Sequence, residues 1–196
     1  YGIFNGTSNY ILSTMDKENK NFTDVLTDAK KLGYAETNPL SDLNGDDVAA
    51  KLKILSSLCF NSFIDHNIHV EGINFIDKLD IDNANKLGYK IKLLGVSEII
   101  NNRVYQRVHP TLIKKSSYIA SIDGVLNAVI VDGKPVGQNV IQGEGAGPEA
   151  TTSALVSDIS SILRGNIKFP FSISSKERKK IKYQNISERS FSAYLR

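Results

Sequence analysis

Tyr89-Lys90-Ile91-Lys92-Leu93-Leu94-Gly95-Val96-Ser97-Glu98-Ile99-Ile100-Asn101-Asn102-Arg103-Val104-Tyr105-Gln106-Arg107-Val108 sets two strand-like runs on either side of a pair of asparagines. Asn tolerates the positive φ that a tight hairpin turn demands, so Tyr89 to Ile100 and Arg103 to Val108 read as paired strands. A second hairpin follows, from Val125 to Asp132 and Pro135 to Gln142, split by Asp132-Gly133-Lys134. The middle of the chain therefore supplies a mostly antiparallel sheet.

Upstream of the first hairpin the apolar spacing turns helical. Thr7 or Ser8 is placed to cap a helix reaching about Lys17, with Tyr10, Ile11 and Met15 on its apolar side. Phe22, Val25, Leu26 and Ala29 mark a second helix over Asn21 to Lys31, stopped by Gly33. A polar loop from Tyr34 to Asn44 leads to a third helix, whose stripe runs Val48, Leu52, Leu55, Cys59. A strand near Ile68 to Val70 and short helices over Ile73 to Lys78 and Asp80 to Leu87 complete this half. Downstream, Gly143 to Gly147 opens a last helix, roughly Glu149 to Leu163, closed by Gly165. Helices, then sheet, then one helix imply an α+β fold, with helices packed on one face of a mostly antiparallel or mixed sheet. Residues 1–165 form one domain in this reading. Residues 166–196, with five basic residues from Lys176 to Lys182, read as a solvated linker and the start of something further.

Composition narrows the function classes. Over 196 residues, 41% hydrophobic and 23% charged content fits a globular chain rather than a disordered one. A net charge of +3 is too small to argue for nucleic acid or an anionic membrane. No apolar run approaches the ~20 residues that span a bilayer. The single cysteine, Cys59, excludes an internal disulfide, and its apolar stripe suggests a buried thiol in a reducing cytosol. Both ends, Tyr1 and the strand-like Ser190 to Arg196, read as cut from a longer chain.

The chemistry gathers between Tyr34 and Lys51. Glu36, Asp42, Asp46 and Asp47 crowd a loop and a first helical turn, where acidic groups meet the positive end of the helix dipole. Asp47 and Lys51 stand four apart and share a helix face. The bland reading is an exposed ion pair giving ~0.3–0.5 kcal/mol, with Asp46 a cap or solvated carboxylate. Gly143-Glu144-Gly145-Ala146-Gly147 before a helix suits close approach of backbone N–H groups to an anion. It lacks the endings of both a P-loop and a dinucleotide fingerprint, so a plain turn explains it equally well. His66 and His69 have no Cys or acidic partner in a metal-site spacing, and no metal set is assigned. His109, before Pro110, reads as structural.

Taken together, four segments in order resemble the homoserine dehydrogenase family. The first is Gly2-Ile3-Phe4-Asn5-Gly6-Thr7-Ser8-Asn9-Tyr10-Ile11-Leu12. The second carries Gly33-Tyr34-Ala35-Glu36, Pro39, Asp42, Gly45, Asp47 and Lys51. The third joins Val108 to Ile113 with Asn127-Ala128-Val129, and the fourth is Gly143 to Gly147 with its helix. Where the family usually has Pro-Thr-Ala-Ser-Ala, this chain has Ala150-Thr151-Thr152-Ser153-Ala154. The resemblance spans Gly2 to Gly165. It implies NAD(P)-dependent interconversion of L-aspartate 4-semialdehyde and L-homoserine, on the route to threonine and methionine.

By that resemblance, Lys51 is a catalytic residue that steadies and protonates the substrate oxygen, and Asp47 orients it. Charge that builds on an aldehyde oxygen during hydride transfer needs such a fixed cation or donor. Glu36 would pair with the substrate ammonium, with Asp42 nearby, while Tyr34, Gly6 and Thr7 would hydrogen-bond the substrate. Gly143, Gly145, Ala146, Gly147 and Glu149 would line the nicotinamide end of the cofactor, with 143–165 returning toward a nucleotide-binding domain. The resemblance places that domain upstream, together with a further lysine and much of a metal-ion site. It also implies a cytoplasmic homodimer joined through the sheet, and an ACT regulatory domain that begins near Ser187 to Arg196. On this reading the 196 residues alone do not turn over. The alternative is a non-catalytic dimerisation or ligand-binding module of the same fold.

Overall fold

Residues 1–64, 66–166, 177 and 181–188 are described by the computed structural model. In chain order the elements are β1 (Gly2–Ile3), α1 (Gly6–Glu18), α2 (Phe22–Lys31), α3 (Leu40–Asn44), α4 (Asp46–Phe60), β2 (His69–Val70), α5 (Lys78–Lys86), β3 (Tyr89–Ile100), β4 (Arg103–Lys114), β5 (Leu126–Gly133), β6 (Gly137–Glu144), α6 (Pro148–Leu163) and β7 (Lys182–Tyr183).

The asparagine hairpin forms where the sequence places it. Asn101 and Asn102 take φ values of 50° and 59°, and β3 and β4 pair antiparallel from Ile100↔Arg103 to Tyr89↔Lys114. β4 is longer than expected, because it continues through Pro110. Glu71 N donates to Val108 O, and Gln184 N to Val104 O, so even-numbered β4 residues direct their backbone groups away from β3. Pro110 shares that parity, beyond the end of β2, where a missing N–H breaks no ladder bond. The sheet order is β2-β4-β3-β1-β5-β6, antiparallel except where β2 and β7 join β4 in parallel.

The helical layer covers one face. Phe4, Ile11, Leu12, Met15, Val48 and Leu52 bury against Ile91, Leu93 and Val108. A smaller cluster lies under a 3-10 turn at Tyr118–Ser121, where Ile3, Leu94, Ile113, Ile122, Ala128 and Ile130 pack together. The α+β class with helices on one sheet face is what the chain adopts.

Several local expectations are corrected. Asn5, not Thr7 or Ser8, caps α1: its side chain accepts from Ser8 N at 2.8 Å. Ile73 to Lys78 is not a helix; Asp77 and Asp80 cap each other's backbone N–H and start α5 one turn later. Leu40–Asn44 forms a short helix inside the expected loop. Cys59 is exposed: in the last turns of α4 it is Ser56 and Ser57 that are buried, Ser56 accepting from Gln106 Nε2 on β4, while Leu58 and Cys59 face outward. Lys182 and Tyr183 are strand rather than linker, and the Tyr183 ring stacks on His66 with centroids 3.7 Å apart. Most of the basic run and of the Ser187 to Arg196 segment lies outside the described residues. Among the described residues, no helix is long and apolar enough to cross a membrane.

Candidate active site

The site forms where β1 ends. Phe4 and Asn5 leave the sheet, α1 begins, and the α3–α4 corner comes down beside them. That corner turns on Gly45, whose φ of 87° suits a residue without a Cβ, and it sets Asp42 and Asp47 on the same flank. Asp47 sits in the first turn of α4, where the helix dipole favours its negative charge. One turn on, Lys51 folds back: its Nζ donates to Asp47 Oδ2 at 2.8 Å and to the Phe4 carbonyl at 3.0 Å. A solvated surface pair has no such second anchor.

An ammonium has three N–H donors. Among the described residues the third one of Lys51 has no partner, and its side chain is 44% exposed at a cavity of about 250 Å³. Phe4, Ile54, Leu55, Asn127 and Val129 share that cavity. A held cation with a donor to spare, beside mostly apolar walls, is suited to stabilise negative charge growing on a bound oxygen. A second depression, of about 300 Å³, lies between α1 and α2 and is bridged by Lys20 ion pairs to Glu18 and Asp28. It holds none of these groups.

Asn5 is the residue that the sequence reading missed. It is 5% exposed, and its Nδ2 donates to Asp42 Oδ1 at 2.8 Å and Asp47 Oδ2 at 2.9 Å. An Asn directly before the first helical residue is a capping signal, and that signal would have singled it out. Thr7 is buried and gives its hydroxyl proton to the Tyr34 carbonyl at 2.7 Å, so it ties the 34–39 loop to α1. A Cβ on Gly6 would lie 2.7 Å from the Val125 carbonyl, so only glycine fits there. The Tyr34 ring leans on Tyr10, with centroids 4.9 Å apart. Glu36 is exposed and makes no bond to Asp47 or Lys51. The structure thus gathers Asp42, Asp47 and Lys51, with Gly6 and Thr7 adjoining, and does not bring the Glu36 carboxylate or the Tyr34 ring to them.

The glycine-rich stretch reaches the same cavity by one contact. A Cβ on Gly145 would lie 1.8 Å from Asn127 Nδ2, and Asn127 lines the cavity with Lys51. Gly143, Ala146, Gly147 and Glu149 are exposed at the end of β6 and the start of α6. Every residue of α6 is at least partly exposed, Leu155, Val156, Ile159 and Ile162 included. Among the described residues no three His, Cys, Asp or Glu side chains are grouped to hold a metal ion. His109 accepts from Arg107 Nε at its Nε2 and lies 2.9 Å from the Pro110 carbonyl at its Nδ1, the pattern of a neutral ring. Burial, first, lowers its pKa in the same direction.

The model of the homoserine dehydrogenase family matches residues 1–160. The chain belongs to the homoserine dehydrogenase family. It is 46% identical over 164 residues to the homoserine dehydrogenase of Neisseria gonorrhoeae and 48% identical over 166 residues to that of Helicobacter pylori. Those matches cover 83% of this chain but only 38% and 39% of the relatives, so it spans about two fifths of a curated homoserine dehydrogenase. A homoserine dehydrogenase structure from Thiobacillus denitrificans, 40% identical, superposes with a TM-score of 0.87 over 94% of this chain and 44% of that one. The family match over residues 1–160 includes the Lys51 site.

Proposed function

We propose that this chain is the substrate-binding and catalytic portion of a homoserine dehydrogenase, interconverting L-aspartate 4-semialdehyde and L-homoserine with NAD(P). The observation that carries the reading is Lys51, held by Asp47 and the Phe4 carbonyl with one N–H turned to a cavity. In the reducing direction the aldehyde oxygen accepts that N–H, and the ammonium neutralises and then protonates the forming alkoxide. Asp47 aims Lys51. Two carboxylates against one ammonium leave the site net negative, which suits the substrate's own ammonium group, and Glu36 is assigned to bind it.

The residues fit a dinucleotide that arrives from another domain. Gly143, Gly145, Ala146, Gly147 and Glu149 are exposed, the turn touches Asn127 at the cavity, and α6 carries exposed apolar residues. When bound, the dinucleotide supplies hydride to the carbonyl carbon. We assign 1–165 to substrate binding and dimerisation, with α6 docking on the nucleotide-binding domain, and 166–196, apart from the Lys182–Tyr183 strand, to a connection toward an ACT domain. The open edge at β6, where Val140 and Ile141 are exposed, supports a homodimer joined through the sheet. The cytosol, with its dinucleotide pool and reducing poise, is the compartment this chemistry suits.

Joined to its nucleotide-binding domain, the chain is expected to oxidise homoserine with NAD or NADP in a spectrophotometric assay; no turnover with either would overturn the reading. Glu36→Gln is expected to raise KM for homoserine about ten- to a hundredfold with a smaller change in kcat, as loss of a charge-assisted hydrogen bond implies. An unchanged KM would remove Glu36 from substrate binding. The non-catalytic alternative predicts ligand binding without turnover.

A further inference from the structure

We propose that Asn5 is a positioning residue for this reaction: its side-chain amide spaces the Asp42 and Asp47 carboxylates and thereby aims Lys51. The inference rests on the function proposed above. Every polar atom of the Asn5 side chain is engaged. One Nδ2 proton goes to Asp42 at 2.8 Å, the other to Asp47 at 2.9 Å, and Oδ1 accepts from Ser8 N at 2.8 Å. A flipped amide would set its oxygen against two carboxylates and its NH2 against a backbone N–H, so only one orientation satisfies the site.

Three elements meet on this one side chain: the start of α1 through Ser8, α3 through Asp42, and α4 through Asp47. Asp47 Oδ2 is the shared atom, since it accepts from both Asn5 and Lys51. Asn5 therefore fixes the very oxygen that Lys51 uses as its anchor, and the Phe4 carbonyl beside it is the second anchor. A neutral double donor also spaces the two carboxylates without placing another cation in the substrate's ammonium site. A lysine or arginine there would compete with the substrate.

Asn5→Ser separates this role from helix capping, because Ser caps about as well as Asn yet has no second donor. In the chain joined to its nucleotide-binding domain, Asn5→Ser is expected to lower kcat about tenfold or more with little change in thermal midpoint. Asn5→Asp also keeps the cap but sets a third carboxylate against the other two, and is expected to lower kcat at least as far. A crystal structure of Asn5→Ser is expected to show Lys51 Nζ displaced from Asp47 Oδ2. Wild-type kcat with Lys51 unmoved in Asn5→Ser would overturn the proposal. A displaced Lys51 in Asn5→Ser, with no turnover in the parent, would instead uphold the bridge and sink the proposed reaction.

Discussion

Lys51→Met is expected to lower kcat for homoserine oxidation by about a thousandfold, with the fold intact. Removing one preorganised donor to a developing oxyanion costs about a hundred- to a thousandfold, and Lys51 also carries the proton. Folding should be nearly indifferent, because the pair with Asp47 is partly exposed and such pairs contribute ~0.3–0.5 kcal/mol. Lys51→Arg is not expected to rescue. A planar guanidinium cannot reach Asp47 Oδ2 and the Phe4 carbonyl and still point a third donor into the cavity. Steady-state kinetics alongside thermal unfolding check both halves. A kcat within a few-fold of the parent would leave Lys51 as a surface ion pair and no more.

Lys92→Met is expected to be the most damaging single change to stability, at about 3–5 kcal/mol in chemical denaturation. Lys92 lies on β3 with its side chain 1% exposed, and all three of its N–H donors are used. They go to Asn9 Oδ1 at 3.0 Å, the Ile122 carbonyl at 2.6 Å and Asp123 Oδ1 at 2.8 Å. Asn9 in turn donates to the Ile122 and Leu126 carbonyls. This cluster ties α1 to the loop before β5, where β1 is too short to bridge β3 and β5. Methionine keeps the volume but leaves Asn9 Oδ1 without its donor and takes the buried ammonium away from Asp123, while the Ile122 carbonyl keeps Asn9 Nδ2. Burial, first, pulls the Lys92 ammonium below the usual lysine range.

Asp123 sets the acid limit of the same cluster. Burial alone would raise its pKa, but the Lys92 hydrogen bond and the Lys92 and Lys90 charges outweigh it and hold the carboxyl below 3.8. A depressed folded pKa stabilises above the unfolded value, so this contribution is present above about pH 4 and lost as pH falls through the folded pKa. Asp123→Asn should remove that part of the acid dependence. An acid limb unchanged in Asp123→Asn, or less than about 1 kcal/mol lost in Lys92→Met, would show that the cluster is not a strut.

The sequence and the structure agree best where one local rule decides. Asn101-Asn102 made a turn because little else tolerates two successive left-handed residues, and the Val48–Leu52 stripe made α4 because burial follows helical period. Agreement failed where a distant partner decided. Lys92 alternates with Ile91 and Leu93, so period two alone puts it on a solvated face; its burial depends on Asn9 and Asp123, far off in sequence. β4 runs on past the expected end at Val108, and the place of Pro110 beyond the end of β2 allows the strand to pass through it. Cys59 kept the helical spacing of a buried residue, but Ser56 and Ser57 take the buried face there. In the site, Asp47 and Lys51 were legible as a pair because i, i+4 neighbours need no tertiary knowledge. Asn5 was not, since its two carboxylate partners lie 37 and 42 residues away. Glu36 reads as a site residue by likeness, while its side chain is exposed with no partner among the described residues.

The most direct test is a crystal structure of the chain, joined to its nucleotide-binding domain, with homoserine bound. The substrate hydroxyl oxygen should lie at about 2.6–3.2 Å from Lys51 Nζ, in the place of the unused N–H. A homoserine seated elsewhere, with Lys51 still bonded only to Asp47 and Phe4, would contradict the assignment of this site.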